Sequence, residues 1–134
     1  MKIEFATNKD LQQLSLIDKH IAKDELSNSI SVKHVFVAKE NNKICGLLRF
    51  NLFWDSIPFM NIIYVVEEYR NKHLGKELVK SWETEMKIKG YKKLMTSTLS
   101  NEEAQHFYRK LGYKDCGSLL LPNEPLEILF LKEI

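Results

Sequence analysis

The feature that most constrains this chain is a change of apolar spacing in its middle third. A largely apolar run from Phe59 to Val66 is typical of a buried strand. The apolar residues that follow lie four positions apart, as on one face of a helix: Leu74, Leu78, Trp82 and Met86. Gly90 ends the helical pattern, and Lys92 to Thr98 predicts another strand. This order predicts a right-handed crossover between two parallel strands.

Apolar segments on both sides of the crossover predict five further strands and two further helices. His34–Ala38, Ile44–Trp54 and the Phe59 run are separated by turn residues, which predicts an antiparallel meander. The other predicted strands are Lys2–Ala6, Tyr113–Leu121 and Leu126–Lys132. The predicted helices are Lys9–Ala22, capped by Asn8, and Asn101–Leu111, capped by Asn101. Lys23–Lys33 has no clear period and is interpreted as either a short helix or a loop.

The 134 residues therefore predict a single α/β domain spanning 1–134. Its sheet is expected to be mixed, largely antiparallel and seven-stranded, with helices on both faces. A net charge of +2, from 20 basic and 18 acidic residues, argues against a nucleic-acid partner. No segment reads as a signal peptide or a membrane span, so a cytoplasmic protein without a membrane partner is expected. The cysteines and histidines show no metal-ligand spacing, and no metal is expected.

The turn between the Phe59 strand and the helix at Leu74 is rich in cations. Arg70, Lys72 and Lys76 surround the start of the helix, where free N–H groups and the helix dipole favour an anion. The simpler interpretation is a basic turn before an ordinary helix. A P-loop is excluded because Arg70 and Glu77 stand where it needs Gly and Ser or Thr. A dinucleotide fingerprint is excluded because Gly75 is the only glycine there.

Two motifs resemble those of the GNAT superfamily of acetyl-CoA-dependent N-acetyltransferases. The earlier motif is similar to the signature Gln/Arg-x-x-Gly-x-Gly/Ala, with Arg70 at its first position, Gly75 at its last and His73 in place of the middle glycine. The later motif resembles the family pattern Asn-x-x-Ala-x-x-x-Tyr-x-x-x-Gly-Phe. Its matching residues are Asn101, Ala104, Tyr108 and Gly112, with Tyr113 replacing Phe. The element order also fits the family's fold, so the resemblance covers the whole chain.

The resemblance implies an acetyl-CoA site between two splayed parallel strands. The strand end would offer backbone groups of Tyr64, Val65 and Val66 to the pantetheine arm. The helix start would hold the pyrophosphate through a run of neighbouring residues: Arg70, Asn71, Lys72, His73, Leu74, Gly75 and Lys76. Asn101 would position the cofactor's other flank. The implied activity is transfer of the acetyl group to a primary amine by direct attack on the thioester.

Tyr108 is the candidate general acid under this resemblance. A phenol, with an ordinary pKa near 10, can protonate the departing CoA thiolate. A backbone N–H near Val65 is the candidate donor to the oxyanion. Without the resemblance, Tyr108 is interpreted as a core aromatic on an amphipathic helix. The general base stays unassigned among a water chain and four side chains: Asp55, Glu67, Glu68 and His106.

The acceptor is expected to be a small-molecule or peptide amine. Its site is expected to involve Ile21–Lys33, the loop Trp54–Pro58 and the hairpin near Asn123. Aromatic and acidic residues in these segments would suit an amine cation: Asp24, Glu25, Phe53, Trp54, Asp55, Phe59 and Glu124. Two alternatives stay open. One is a non-catalytic acyl-CoA-binding regulatory module on the same fold, and the other is a homodimer paired through the final strands.

Overall fold

Seven strands and four α-helices alternate along the chain in the computed structural model, which describes residues 1–134. The strands are β1 (Lys2–Phe5), β2 (Val35–Glu40), β3 (Lys43–Phe53), β4 (Ile57–Val65), β5 (Lys93–Leu99), β6 (Lys114–Leu119) and β7 (Glu127–Glu133). The helices are α1 (Leu11–Ile17), α2 (Lys23–Ser31), α3 (Leu74–Ile88) and α4 (Ala104–Lys110). None of these helices combines the length and the apolar character that a membrane span requires.

The strands form one mixed sheet in the order β1-β2-β3-β4-β5-β7-β6, which confirms the predicted fold class. The β4–α3–β5 segment is the predicted parallel crossover, and its parallel pairing covers two residue pairs, Phe59 with Met95 and Met60 with Thr96. The pairings of β1 with β2, β2 with β3, β5 with β7 and β6 with β7 are antiparallel. β7 lies between β5 and β6, an order that apolar periodicity does not encode.

The chain divides into two units, of which the first comprises Met1–Asn51 and Ile62–Trp82. Its core is made by the apolar faces of α1 and α2 together with β2 and β3. The buried members of this core are Ala6, Leu14, Leu26, Ile30, Val35, Val37, Ile44 and Leu47. Burial of an aliphatic side chain contributes roughly 1.5–3 kcal/mol, so this cluster is a main source of stability for the unit.

The first predicted helix is shorter than expected at both ends. Its start is a separate 3-10 turn over Asn8–Asp10, capped by Thr7 instead of the predicted Asn8. The N–H of Thr7 donates to the Asp10 carboxylate at 2.9 Å. The helix then ends at Ile17 and not at Ala22, because Asp18 leaves the helical conformation and is buried in an ion pair with Arg49. The segment Lys23–Lys33, left open between helix and loop, contains α2.

The N-terminal part of α3 packs on β3 within the first unit, and a glycine makes the approach possible. A Cβ atom on Gly46 would lie 3.1 Å from Leu78 Cδ1 and 3.2 Å from the Tyr64 carbonyl oxygen, so a larger residue would force these neighbours to shift by a few tenths of an ångström. The aromatic rings of Phe50 and Trp82 lie 5.8 Å apart in the same layer, and both side chains are buried. This packing fixes the position of the α3 start relative to β3.

The second unit comprises Leu52–Asn61 and Glu83–Ile134. Glu83 ties its elements together: its carboxylate accepts from the Tyr113 hydroxyl at 2.8 Å and from Lys132 Nζ at 3.0 Å. The sheet edge is β6, all of whose residues are exposed, with a bulge between Asp115 and Gly117. A bulge on an edge strand works against pairing with another chain.

Candidate functional site

The segment that follows β4 folds into a hydrogen-bonded turn. A 3-10 helix spans Glu67–Tyr69, and the N–H of Tyr69 donates to the Val66 carbonyl at 2.8 Å. The N–H of Arg70 donates to the carbonyl of Glu67 at 3.2 Å. These two bonds reverse the chain within one short turn, so the residues that follow are held at a defined position ahead of α3.

The start of α3 presents unpaired main-chain donors. The N–H of Glu77 donates to the carbonyl of His73 at 3.0 Å, which is the first α-helical bond. The N–H groups of Leu74, Gly75 and Lys76 therefore have no acceptor within the helix. Because α3 is 15 residues long, these groups lie at the positive end of a full helix dipole.

His73 adopts the backbone conformation that its glycine counterpart in the family signature would favour. Its φ is 64°, and Asn71, two residues earlier, has a φ of 63°. Left-handed backbone is open to glycine at little cost, and among other residues Asn, Asp and His are the ones enriched there. His73 therefore occupies a conformation that glycine would adopt readily, and it places an exposed imidazole beside the helix start.

Two of the turn's cations lie against aromatic rings. The Arg70 Nε donates to the Val65 carbonyl at 2.8 Å, and its guanidinium carbon lies 5.4 Å from the centre of the Tyr64 ring. Lys72 Nζ lies 5.7 Å from the centre of the Tyr69 ring. Both cations remain exposed, so they raise the local positive potential without being neutralised by a carboxylate at these contacts.

The peptide groups at the end of β4 differ in whether they are already hydrogen-bonded within the protein. Val66 has both groups engaged, because its N–H donates to the Cys45 carbonyl at 2.9 Å and its carbonyl accepts from Tyr69. Neighbouring peptide groups of a strand point to opposite edges, so the N–H of Val65 points away from β3. Among the predicted backbone donors, Val65 is therefore the better placed one, and Val66 is not free.

Sequence reasoning missed the side chains that anchor the turn. A hydrogen bond to Glu40, at the end of β2, raises the pKa of the Tyr69 hydroxyl, with Cys45 as its next contributor. Lys43 and Glu68 form an exposed ion pair at 3.5 Å. These partners lie more than 20 residues apart in the chain, and no local spacing signals such contacts.

In the second unit, Tyr108 projects from α4 into a mainly aromatic environment. Its ring lies 5.8 Å from Phe130 and 6.2 Å from Tyr113, and only 6% of the residue is exposed. Burial raises the pKa of the Tyr108 hydroxyl to about 12. The side chain is therefore a neutral phenol, able to donate a proton, throughout the physiological range. The core interpretation and the acid interpretation of Tyr108 both remain compatible with this position.

Thr96 lies between this phenol and β4. The hydroxyl of Thr96 on β5 interacts with Tyr108 and donates to the Met60 carbonyl at 3.0 Å. Thr96 is 1% exposed. The sequence contains no motif for Thr96, and only the parallel pairing of Met60 with Thr96 brings these groups together.

Asn101 is not the helix cap that its sequence predicts. α4 begins at Ala104, with Glu103 as its N-cap, and Asn101 is exposed in the preceding turn. Glu102 organises that turn instead, because its carboxylate accepts from the Leu99 N–H at 3.2 Å and from Thr98 at 3.3 Å. An amide side chain at Asn101 is thus left free of a capping role.

The residues considered as general base are all exposed, and they lie in different units. Glu67 and Glu68 belong to the turn of the first unit, whereas Asp55 and His106 belong to the second. His106 Nε2 lies 3.9 Å from a carboxylate oxygen of Glu103. None of these residues is desolvated in the manner of a tuned catalytic base. No group of three or more His, Cys, Asp or Glu side chains is arranged to hold a metal ion.

The family model and the curated relative that match this chain both describe acetyltransferases. The acetyltransferase (GNAT) domain family matches residues 31–115, more than half of the chain. An uncharacterized N-acetyltransferase of Chlorobaculum tepidum is 24% identical over 93 residues, which are 69% of this chain. The matched segment spans 57% of that curated relative's length.

Solved structures share the fold at low identity. A ribosomal-protein-alanine N-acetyltransferase from Brucella melitensis has a TM-score of 0.85 at 16% identity, with 100% of both chains covered. The paia N-acetyltransferase of Thermoplasma acidophilum, solved in complex with coenzyme A, has a TM-score of 0.81 at 19% identity, covering 99% of this chain and 98% of that one. With the family match over residues 31–115, this chain belongs to the GNAT acetyltransferase family.

Proposed function

We propose that this chain transfers an acetyl group from acetyl-CoA to a primary amine by direct attack of the amine on the thioester. The observation that carries the proposal is the turn before α3, where unpaired N–H groups of Leu74, Gly75 and Lys76 meet exposed cations in a member of this family. A pyrophosphate is the part of acetyl-CoA that such donors and charges bind.

The first unit would hold the cofactor. The three first-turn N–H groups would donate to the pyrophosphate, with Lys72 and Lys76 as additional charges. Arg70 would contribute its charge after exchanging the Val65 carbonyl for a phosphate oxygen. The His73 and Asn71 peptide groups would line the turn. The N–H of Val65 is the proposed donor to the thioester oxygen, and Tyr64 and Val66 would contribute shape alongside the pantetheine arm.

The chemical steps balance without a further cofactor. The neutral amine nitrogen forms a bond to the acetyl carbon, the oxyanion collapses, and the carbon–sulfur bond breaks. The nitrogen loses its proton to water or to an unassigned base. Tyr108 would donate its proton to the departing sulfur and regain one from solvent, which fits a phenol kept neutral by burial. Asn101 would orient the cofactor beside this acid.

The acceptor is proposed to be a small-molecule or peptide amine. The Brucella relative is named for acting on a ribosomal-protein alanine, which is consistent with a peptide amine. The rival proposal, a non-catalytic acyl-CoA-binding module, is favoured by one observation, the substitution of His73 for the signature glycine. Both proposals predict acetyl-CoA binding. Only the transferase proposal predicts turnover.

Acetyl-CoA binding, measured by calorimetry, is the first test. Replacing Lys76 by Gln should weaken binding about 3- to 30-fold, with a reduced salt dependence, because a charge near the pyrophosphate is lost. Lys80→Gln is the matched control, since Lys80 is also exposed but lies one helical turn further from the start of α3. Equal effects of both variants, or no binding by the wild type, would contradict a pyrophosphate site at this turn.

Thiol release with a panel of amines is the second test. Amine-dependent release by the wild type supports a transferase, while binding without release supports the regulatory module. Tyr108→Phe should lower kcat by about tenfold or more and leave acetyl-CoA affinity within about twofold. An unchanged kcat would remove Tyr108 from the role of acid.

A further inference from the structure

The turn between β3 and β4 holds a tryptophan in a conformation that a bulky residue disfavours. The N–H of Ser56 donates to the Phe53 carbonyl at 3.1 Å, and both residues between them have positive φ, 54° for Trp54 and 62° for Asp55. Two-residue turns of this kind strongly favour Asn-Gly. A bulky tryptophan at positive φ lowers stability, so the folding of the hairpin does not account for Trp54.

Trp54 also forms the outer end of a row of aromatic rings. Its ring centre lies 4.6 Å from that of Phe53, which lies 6.0 Å from that of Phe59. We call Phe53, Trp54 and Phe59 the aromatic cluster. Trp54 is 78% exposed, and the next residue, Asp55, is an exposed carboxylate that takes part in none of the ion pairs of the molecule. Aromatic faces beside an unpaired carboxylate form a surface that attracts an organic cation.

The inner end of the aromatic cluster and the Thr96 contact lie at successive residues of β4 in the second unit. Phe59 pairs with Met95 across β4 and β5, and the next pair is Met60 with Thr96. Thr96 donates to the Met60 carbonyl and interacts with the Tyr108 hydroxyl. The inner end of the cluster is therefore one residue along β4 from the peptide group linked to Tyr108.

We propose that the aromatic cluster and Asp55 bind a second alkylammonium group of the acceptor, separate from the amine that is acetylated. This inference rests on the proposed function and specifies its substrate class. The attacking amine must be neutral, so it does not match an anionic aromatic site. A second cation on the same acceptor matches this anionic aromatic site, as in a diamine or in a peptide that carries a lysine. The acceptor is thus a molecule with two amino groups.

Intrinsic fluorescence gives a test that needs no turnover. The chain has two tryptophans, and Trp82 is fully buried, so acrylamide should quench Trp54 preferentially. Saturating 1,4-diaminobutane should protect Trp54 from acrylamide, and its neutral analogue 1-butanol should bind about 3- to 30-fold more weakly. Asp55→Asn should weaken diamine binding by a similar factor. A lysine-containing tetrapeptide, tested in the same way, distinguishes a peptide acceptor from a free diamine.

Steady-state kinetics give the second readout. Trp54→Asn removes the ring while keeping a residue that accepts positive φ, so the hairpin should fold at least as well. It should raise KM for the diamine or lysine peptide at unchanged kcat, and Trp54→Phe should restore most of the affinity. Equal protection by 1-butanol, or no protection by either dication, would overturn this inference. Retained thiol release in that case would leave the proposed function intact, whereas dication protection without thiol release would contradict the proposed function alone.

Discussion

The side-chain hydroxyl of Thr96 donates to the main-chain carbonyl of Met60 at 3.0 Å, inside a buried part of the second unit. A threonine hydroxyl has a single proton, and this bond uses it. The Thr96 side chain also lies beside the Tyr108 hydroxyl and lowers its pKa, against the larger rise that burial causes. Thr96 therefore contacts both the backbone of β4 and the phenol of α4 inside the second unit.

Replacing Thr96 by the isosteric Val should destabilise the second unit. The Met60 carbonyl and the Tyr108 hydroxyl would each lose a buried partner, which costs about 1–3 kcal/mol. Urea unfolding measures this loss. Thr98→Val is the matched control: Thr98 donates to Glu102, an exposed carboxylate that water can solvate in the variant, so about 1 kcal/mol or less should be lost. Equal losses in the two variants would contradict a role of Thr96 as the buried partner of Met60 and Tyr108.

Burial of Tyr108 should make the protein sensitive to alkali. Its pKa is about 12 in the folded protein and about 10 in the unfolded chain, so folding favours the neutral phenol. This contribution is fully present below pH 10 and is lost as pH rises through 12, reaching about 3 kcal/mol. The free energy of unfolding should therefore fall less steeply between pH 10 and 12 in Tyr108→Phe than in the wild type. Parallel curves would show that Tyr108 ionises freely.

Local patterns predicted much of this protein, and long-range pairings account for most of what they missed. The four-residue spacing from Leu74 to Met86 predicted α3, because helical periodicity depends on neighbouring residues. The parallel crossover followed from the strand–helix–strand order. The predicted end of the first helix was wrong because Asp18 pairs with Arg49, 31 residues away. The position of β7 between β5 and β6 is likewise a consequence of tertiary pairing.

The candidate site likewise has one part that the sequence predicts and another that depends on contacts between distant residues. The cationic turn is visible in the sequence from Arg70 to Lys76. Its anchor, the contact of Tyr69 with Glu40, depends on how β2 and the turn meet in space, as does the role of Thr96 beneath Tyr108. The predicted Asn101 cap was wrong because Glu102 satisfies the turn's donors before the helix begins.

Replacing His73 by Gly should stabilise the turn. An L-residue in left-handed backbone costs about 1–2 kcal/mol, while the added freedom of glycine in the unfolded chain costs about 0.5–1 kcal/mol. The net gain should be up to about 1 kcal/mol in urea unfolding, with acetyl-CoA affinity equal to or above that of the wild type. His73→Val is the contrasting variant, because a β-branched residue tolerates a φ of 64° poorly, and it should lose stability. Equal stability of the two variants would contradict strain at this position.

The buried ion pair of Asp18 with Arg49 should contribute strongly to the stability of the first unit. The Asp18 carboxylate lies 2.7 Å from Arg49 Nε, and the Asp18 and Arg49 side chains are 0% and 9% exposed. Asp18→Asn leaves a buried guanidinium without its counter-charge, which should cost about 3–5 kcal/mol in urea unfolding. An exposed pair is the control: Lys2 lies 3.8 Å from Glu4 with its side chain 78% exposed, and Glu4→Gln should change stability by less than about 1 kcal/mol.

A double variant distinguishes the cost of leaving Arg49 buried without its counter-charge from the loss of the attraction between the two charges. Asp18→Leu combined with Arg49→Met replaces both charges by apolar groups, so no buried charge is left unpaired. Because the desolvation cost of the pair then disappears as well, the double variant should recover most of the stability lost in Asp18→Asn. A double variant as unstable as the sum of its single variants would instead mean that the ion pair itself holds the end of α1 in place.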